Sequence, residues 1–103
     1  LMSSSGQWRL APAYDVTFCE GPGGYHQMDV MGEAFRITRK HLLNLAVEEA
    51  DLSTKSAADI IEQICHVASG FAESARRQFS SGITRDTLRT IQARIDDNIA
   101  RIK

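Results

Sequence analysis

Apolar residues recur at helical spacing along the second two-thirds of the chain, and along the first third they do not. Leu42, Leu43, Ala46, Val47 and Ala50 make one short stripe. Thr38 stands before it as a residue whose hydroxyl can accept an unpaired first-turn N–H. Ser53 or Ser56 opens the next helix. Its stripe is long: Ala57, Ile60, Ile61, Ile64, Cys65, Ala68, Phe71, Ala72, Ala75 and Phe79. Gly70 lies inside it, at a cost of about 1 kcal/mol relative to Ala, and marks a place for a kink. Ser80-Ser81-Gly82 ends the pattern, with Gly82 expected as the glycine just past the helix. Thr84 caps a last helix that turns Leu88, Ile91, Ile95, Ile99 and Ile102 inward.

The first third reads differently. Ser3-Ser4-Ser5-Gly6 separates Leu1-Met2 from Gln7-Trp8-Arg9-Leu10, which predicts a short hairpin ended by Pro12. Tyr14 to Phe18 is extended or turn-like, and Gly21-Pro22-Gly23-Gly24 is a turn. Tyr25 to Val30 alternates, placing Tyr25, Gln27 and Asp29 on one side and His26, Met28 and Val30 on the other. A tight Met31-Gly32-Glu33 turn leads into Ala34-Phe35-Arg36-Ile37, a second hairpin. The fold class expected is therefore α+β and mostly helical: two short N-terminal β-hairpins followed by three α-helices. It forms one domain over residues 1–103, with hairpins over 1–37 and helices over 38–103.

With 103 residues the chain has room for one modest core. An apolar fraction of 43% is enough to argue against disorder, and no apolar run reaches membrane-span length. The formal net charge of −1 gives no reason to expect nucleic-acid binding. Its distribution is uneven: residues 1–71 carry a net of −4 and residues 72–103 a net of +3. Arg76-Arg77 and the basic end are read as a solvated helix face. Cys19 and Cys65 form no metal-type pair. As free thiols they indicate a reducing, cytoplasmic setting, although spacing leaves a disulfide open. His26, His41 and His66 lack metal-ligand spacing. The Gly21–Gly24 turn lacks the Lys-Ser/Thr of a phosphate-binding loop. The chain begins at Leu1, which reads as an internal piece of a longer protein.

One segment stands apart: Trp8-Arg9-Leu10-Ala11-Pro12-Ala13-Tyr14-Asp15. Read alone, Asp15 is either a turn-capping carboxylate or a ligand suited to Mg²⁺, which takes only one or two protein carboxylates. The pattern Trp-x-Leu-x-Pro-x-Tyr-Asp, carried by Trp8, Leu10, Pro12, Tyr14 and Asp15, resembles the HipA family of bacterial toxin serine/threonine kinases. Tyr25–Val30, Gly32, and Ile37-Thr38 opening a helix with Leu42-Leu43 follow the family's order, so the resemblance covers nearly the whole chain. Its specific part is Trp8 to Asp15.

The resemblance implies a kinase-like C-terminal lobe in which Asp15 binds the Mg²⁺ that bridges ATP phosphates and Tyr14 lies near the nucleotide. It further implies a HipB-like antitoxin as partner, a protein Ser/Thr substrate for the parent, and operator DNA reached only through the antitoxin. The family's catalytic Asp, its Asn metal ligand and its N-terminal lobe have no counterpart in these residues. The fragment is therefore expected to be inactive alone and to need the remainder of the kinase. With Trp8, Tyr14 and Phe18 exposed, it is also expected to oligomerise. The competing expectation is a stand-alone helical protein-interaction module without catalysis.

Overall fold

A computed structural model of the chain describes residues 1–14 and 16–103. Helices occupy the region where the apolar spacing is helical. They are α1 (Arg39–Glu48), α2 (Thr54–Ser69), α3 (Phe71–Gln78) and α4 (Arg85–Ile102). α2 packs on α1, α3 and α4, and α4 also meets α1 and α3. Among the described residues the buried apolar side chains are Ala57, Ile61, Cys65, Ala75 and Leu88, from α2, α3 and α4. Arg39 ties three helices together. Its Nη1 donates to Glu62 Oε1 at 3.1 Å and to the Ile102 and Lys103 carbonyls at 3.2 Å, so a cation meets the carbonyl end of α4.

The helix starts follow local chemistry. Ser53, rather than Ser56, caps α2, its Oγ accepting from Ser56 N–H at 3.1 Å. Thr84 Oγ1 accepts from Thr87 N–H at 3.2 Å. At α1 the Thr38 N–H donates to His41 Nδ1 at 3.0 Å, so histidine takes the place that Glu or Gln fills in a capping box. α1 closes where Asp51 turns left-handed (φ 52°) and Leu52 N–H reaches the Ala46 carbonyl at 2.9 Å.

The fold class expected from sequence is corrected in two respects. First, the described residues contain four helices and no strand or sheet, so the two N-terminal β-hairpins are not formed. Each is reduced to one antiparallel bridge, Met2 with Trp8 and Val30 with Glu33. In the first, Ser3 closes the turn on itself: its carbonyl accepts from Gly6 N–H at 2.9 Å and its Oγ from Gln7 N–H at 3.1 Å, so a side chain takes a donor that a ladder would use. In the second, the tight turn is present, with Met31 and Gly32 both at positive φ (54° and 83°) and Val30 and Glu33 exchanging bonds at 2.8 and 3.2 Å. Beyond it, Glu33 Oε1 accepts from Phe35 N–H at 2.6 Å and Arg36 N–H at 2.8 Å. A local carboxylate thus takes donors that a ladder would need. Beyond the Val30–Glu33 pair, His26 N–H still reaches across, to the Ala34 carbonyl at 2.8 Å.

Second, the expected long middle helix is two helices. Gly70 sits at φ −93°, ψ 7° between α2 and α3. The Ala72 N–H in the first turn of α3 donates to Gln92 Oε1 of α4 at 2.9 Å. A side chain from another helix therefore satisfies a donor that a continuous helix would have paired internally. Gly82 is not left-handed, and α3 ends earlier through Phe79, whose N–H bonds to the Ala75 carbonyl at 2.8 Å. Ile60 and Ile64, placed on the apolar stripe, are 47% and 61% exposed.

The radius of gyration is 16.3 Å, above the roughly 13 Å of a compact chain of this length. Most described residues from 1 to 29 are exposed. Ties of the N-terminal third to the helices include Glu20 with Arg94 (3.3 Å) and the Phe35 carbonyl with Arg101 Nη1 (3.4 Å).

Candidate functional site

The segment from Trp8 to Tyr14 lies on the surface. Trp8 is held by the bridge to Met2, with the Arg9 N–H bonded to the Leu1 carbonyl at 2.9 Å. Trp8, Leu10 and Tyr14 are 78%, 95% and 82% exposed. Leu10, Ala11 and Pro12 line an open groove of about 510 Å³ with Leu1, Met2, Ser3 and Arg9. Asp15, the expected Mg²⁺ ligand, lies outside the described residues. Tyr14, expected beside the nucleotide, has an exposed ring.

A single carboxylate matches the donor chemistry of Mg²⁺, which draws its other ligands from water and phosphate. The described residues add no group of three His, Cys, Asp or Glu side chains able to hold a metal. Glu20, the next acidic residue, is engaged by Arg94.

The turn that follows is built by glycine. At Gly21 (φ 69°) an added Cβ would collide with the Tyr25 carbonyl oxygen. The short 3-10 turn Pro22–Gly24 then delivers Tyr25 onto Phe35, their rings stacked with centroids 4.8 Å apart. Glu33 anchors the far side of this unit. The Arg36 and Phe35 N–H groups from which it accepts hold its carboxyl below the ordinary value of 4.5.

Two features were not singled out by sequence reasoning. An apolar groove of about 250 Å³ lies between α1, α2 and the end of α4, lined by Leu42, Ala46, Leu52, Ile60, Ile64 and Ile102 among others. Beside it α2 exposes Ile60, Ile64 and Val67. The i, i+4, i+7 spacing of these three was the available signal. The second feature is a cleft lined by Arg36, Thr38, Arg94, Asp97 and Arg101. Arg94 and Arg101, seven apart on one helix, were legible as neighbours on a face, but Arg36 was not.

Cys65 is buried and Cys19 exposed, and both are free thiols. Among the described residues no helix is long and apolar enough to cross a membrane. No family model, no curated protein and no solved structure matches this chain.

Proposed function

We propose that this chain is part of the C-terminal lobe of a HipA-like serine/threonine protein kinase that acts in the cytoplasm within a toxin–antitoxin pair. The observation that carries the reading is the Trp8-x-Leu10-x-Pro12-x-Tyr14-Asp15 pattern. The exposure of Trp8, Leu10 and Tyr14 supports it, because a segment that borders the rest of a kinase lobe has apolar side chains to cover. In the parent, Asp15 holds Mg²⁺ and Tyr14 sits beside ATP. The ion's part is to neutralise charge on the transferred phosphoryl group. Partners follow from the same reading: the remainder of the kinase, a HipB-like antitoxin and a protein substrate.

The test uses the polypeptide encoded by the complete reading frame. ATP-dependent autophosphorylation or transfer to protein Ser/Thr is expected, falling at least about a hundredfold in Asp15→Asn, since metal-held charge stabilisation acts mainly in the transition state. Undiminished transfer by Asp15→Asn removes the assigned role, and a polypeptide with no phosphoryl transfer removes the reading. The isolated chain is expected to self-associate through Trp8, Tyr14 and Phe18. A strict monomer by light scattering at high concentration counts against that.

The apolar groove and the exposed Ile60, Ile64 and Val67 favour a second reading, a helical protein-interaction module without catalysis. It predicts a complete polypeptide that does not bind Mg²⁺-ATP.

A further inference from the structure

An open cleft of about 510 Å³ lies between the Arg36–Thr38 segment and the C-terminal half of α4. Its lining carries three guanidinium groups, from Arg36, Arg94 and Arg101, and one carboxylate, Asp97. Arg36 has no ion-pair partner among the described residues. Arg94 is held at one edge by Glu20 at 3.3 Å, both side chains being about half exposed. Arg101 donates through Nη1 to the Phe35 carbonyl and through Nη2 to Asn98 Oδ1. Its Nε is buried without a partner among the described residues. A buried donor left unpaired is costly, and native structures seldom keep one without a reason.

We propose that this cleft binds a phosphate monoester. Guanidinium groups present planar donor pairs that match phosphate oxygens, and charge-assisted bonds of this kind are the strong ones. The lining's formal charge is +2, and +1 once the Glu20 carboxylate at its edge is counted, which favours the −1.5 to −2 of a monoester near neutral pH over the single charge of a carboxylate. Thr38 contributes little, since its hydroxyl already faces His41 Nδ1 at 3.1 Å. The proposal is independent of the kinase reading, for neither Tyr14 nor Asp15 is among the lining residues.

The whole chain, labelled with ¹⁵N, is titrated at constant ionic strength with inorganic phosphate, with O-phosphoserine and with acetate, following the arginine Nε–Hε resonances. A saturable shift of the Arg101 resonance is expected with both phosphates. Arg36→Gln is expected to weaken binding about tenfold, the scale of one charge-assisted hydrogen bond. Arg36 is exposed, so this variant tests the site without disturbing the Arg101 contacts that support the fold. Asp97→Asn should tighten binding, and Arg89→Gln, in the separate groove between α3 and α4, should leave it unchanged. Tighter binding of O-phosphoserine than of inorganic phosphate is the result expected for a monoester site, and binding no tighter than that of inorganic phosphate overturns the assignment to a monoester. Non-saturating shifts shared by all arginines, saturation by acetate at the same concentration, or full affinity in Arg36→Gln each overturn the proposal.

Discussion

The N-terminal third and the four helices both carry large apolar side chains, yet only the helices bury them. Trp8, Tyr14 and Tyr25 lie in the first third and are 78%, 82% and 56% exposed, whereas Ile61 and Leu88 are 8% and 4% exposed. Apolar content is therefore not what separates the two regions. In α2 and α4 the 3.6-residue period gathers side chains onto one face, and a second helix supplies the opposing surface. In the first third, single bridges and glycine turns set each side chain separately, and no facing surface collects them. A core needs a shared face as well as hydrophobicity.

Truncation should expose that difference most strongly. Leu88→Ala removes buried methyl groups from the contact of α4 with its neighbours and is expected to cost about 2–5 kcal/mol. Trp8→Ala removes a larger side chain but is expected to cost no more than about 0.5 kcal/mol in the isolated chain. Denaturant unfolding measures both. Equal losses would mean that the first third shares the core after all.

How much was readable follows the same division. Thr38, Ser53 and Thr84 announced their helices because a cap is a local bond between residues two or three apart. The tight turn at Met31-Gly32 was readable for the same reason. The helix break at Gly70 was half readable: the glycine was visible, but the Gln92 contact that pairs the Ala72 N–H comes from twenty residues away. Alternation from Tyr25 to Val30 predicted a strand, and the Glu33 carboxylate diverted the donors on which its pairing depended. Of the candidate site, the Tyr14–Asp15 motif was visible in sequence. The arginine cleft joins Arg36 to residues 58 and more positions downstream and was not.

The Gln92 contact gives a smaller effect within the helical region. Gln92→Ala leaves the Ala72 N–H without its acceptor, and the loss expected is about 1 kcal/mol, the size of a typical intramolecular hydrogen bond. Amide exchange at Ala72 should speed up while exchange at Ile61 follows only the global change. Unchanged protection at Ala72 would assign the break to Gly70 alone. Gly70→Ala should act in the opposite direction. The position has negative φ, and an added Cβ meets only the Val67 carbonyl oxygen, at 3.7 Å. The gain expected is about 0.4–1 kcal/mol from the narrowed unfolded ensemble, read as a higher Tm.

The smallest effect belongs to the first third and turns on Glu33. Its carboxylate accepts the Phe35 and Arg36 N–H groups, and those bonds hold its pKa below 4.5. A lowered folded-state value means that the bonds help hold the turn above the unfolded value of about 4.5. That contribution is lost as pH falls through the lowered value. Acidification should therefore loosen the Glu33–Arg36 turn. The amide resonances of Phe35 and Arg36 are expected to move upfield together in acid, with a midpoint below 4.5, while those of Ile61 and Leu88 stay in place. Glu33→Gln keeps an acceptor oxygen but cannot titrate, so it should remove the midpoint without abolishing the turn. Resonances that still titrate in Glu33→Gln would place the controlling group elsewhere.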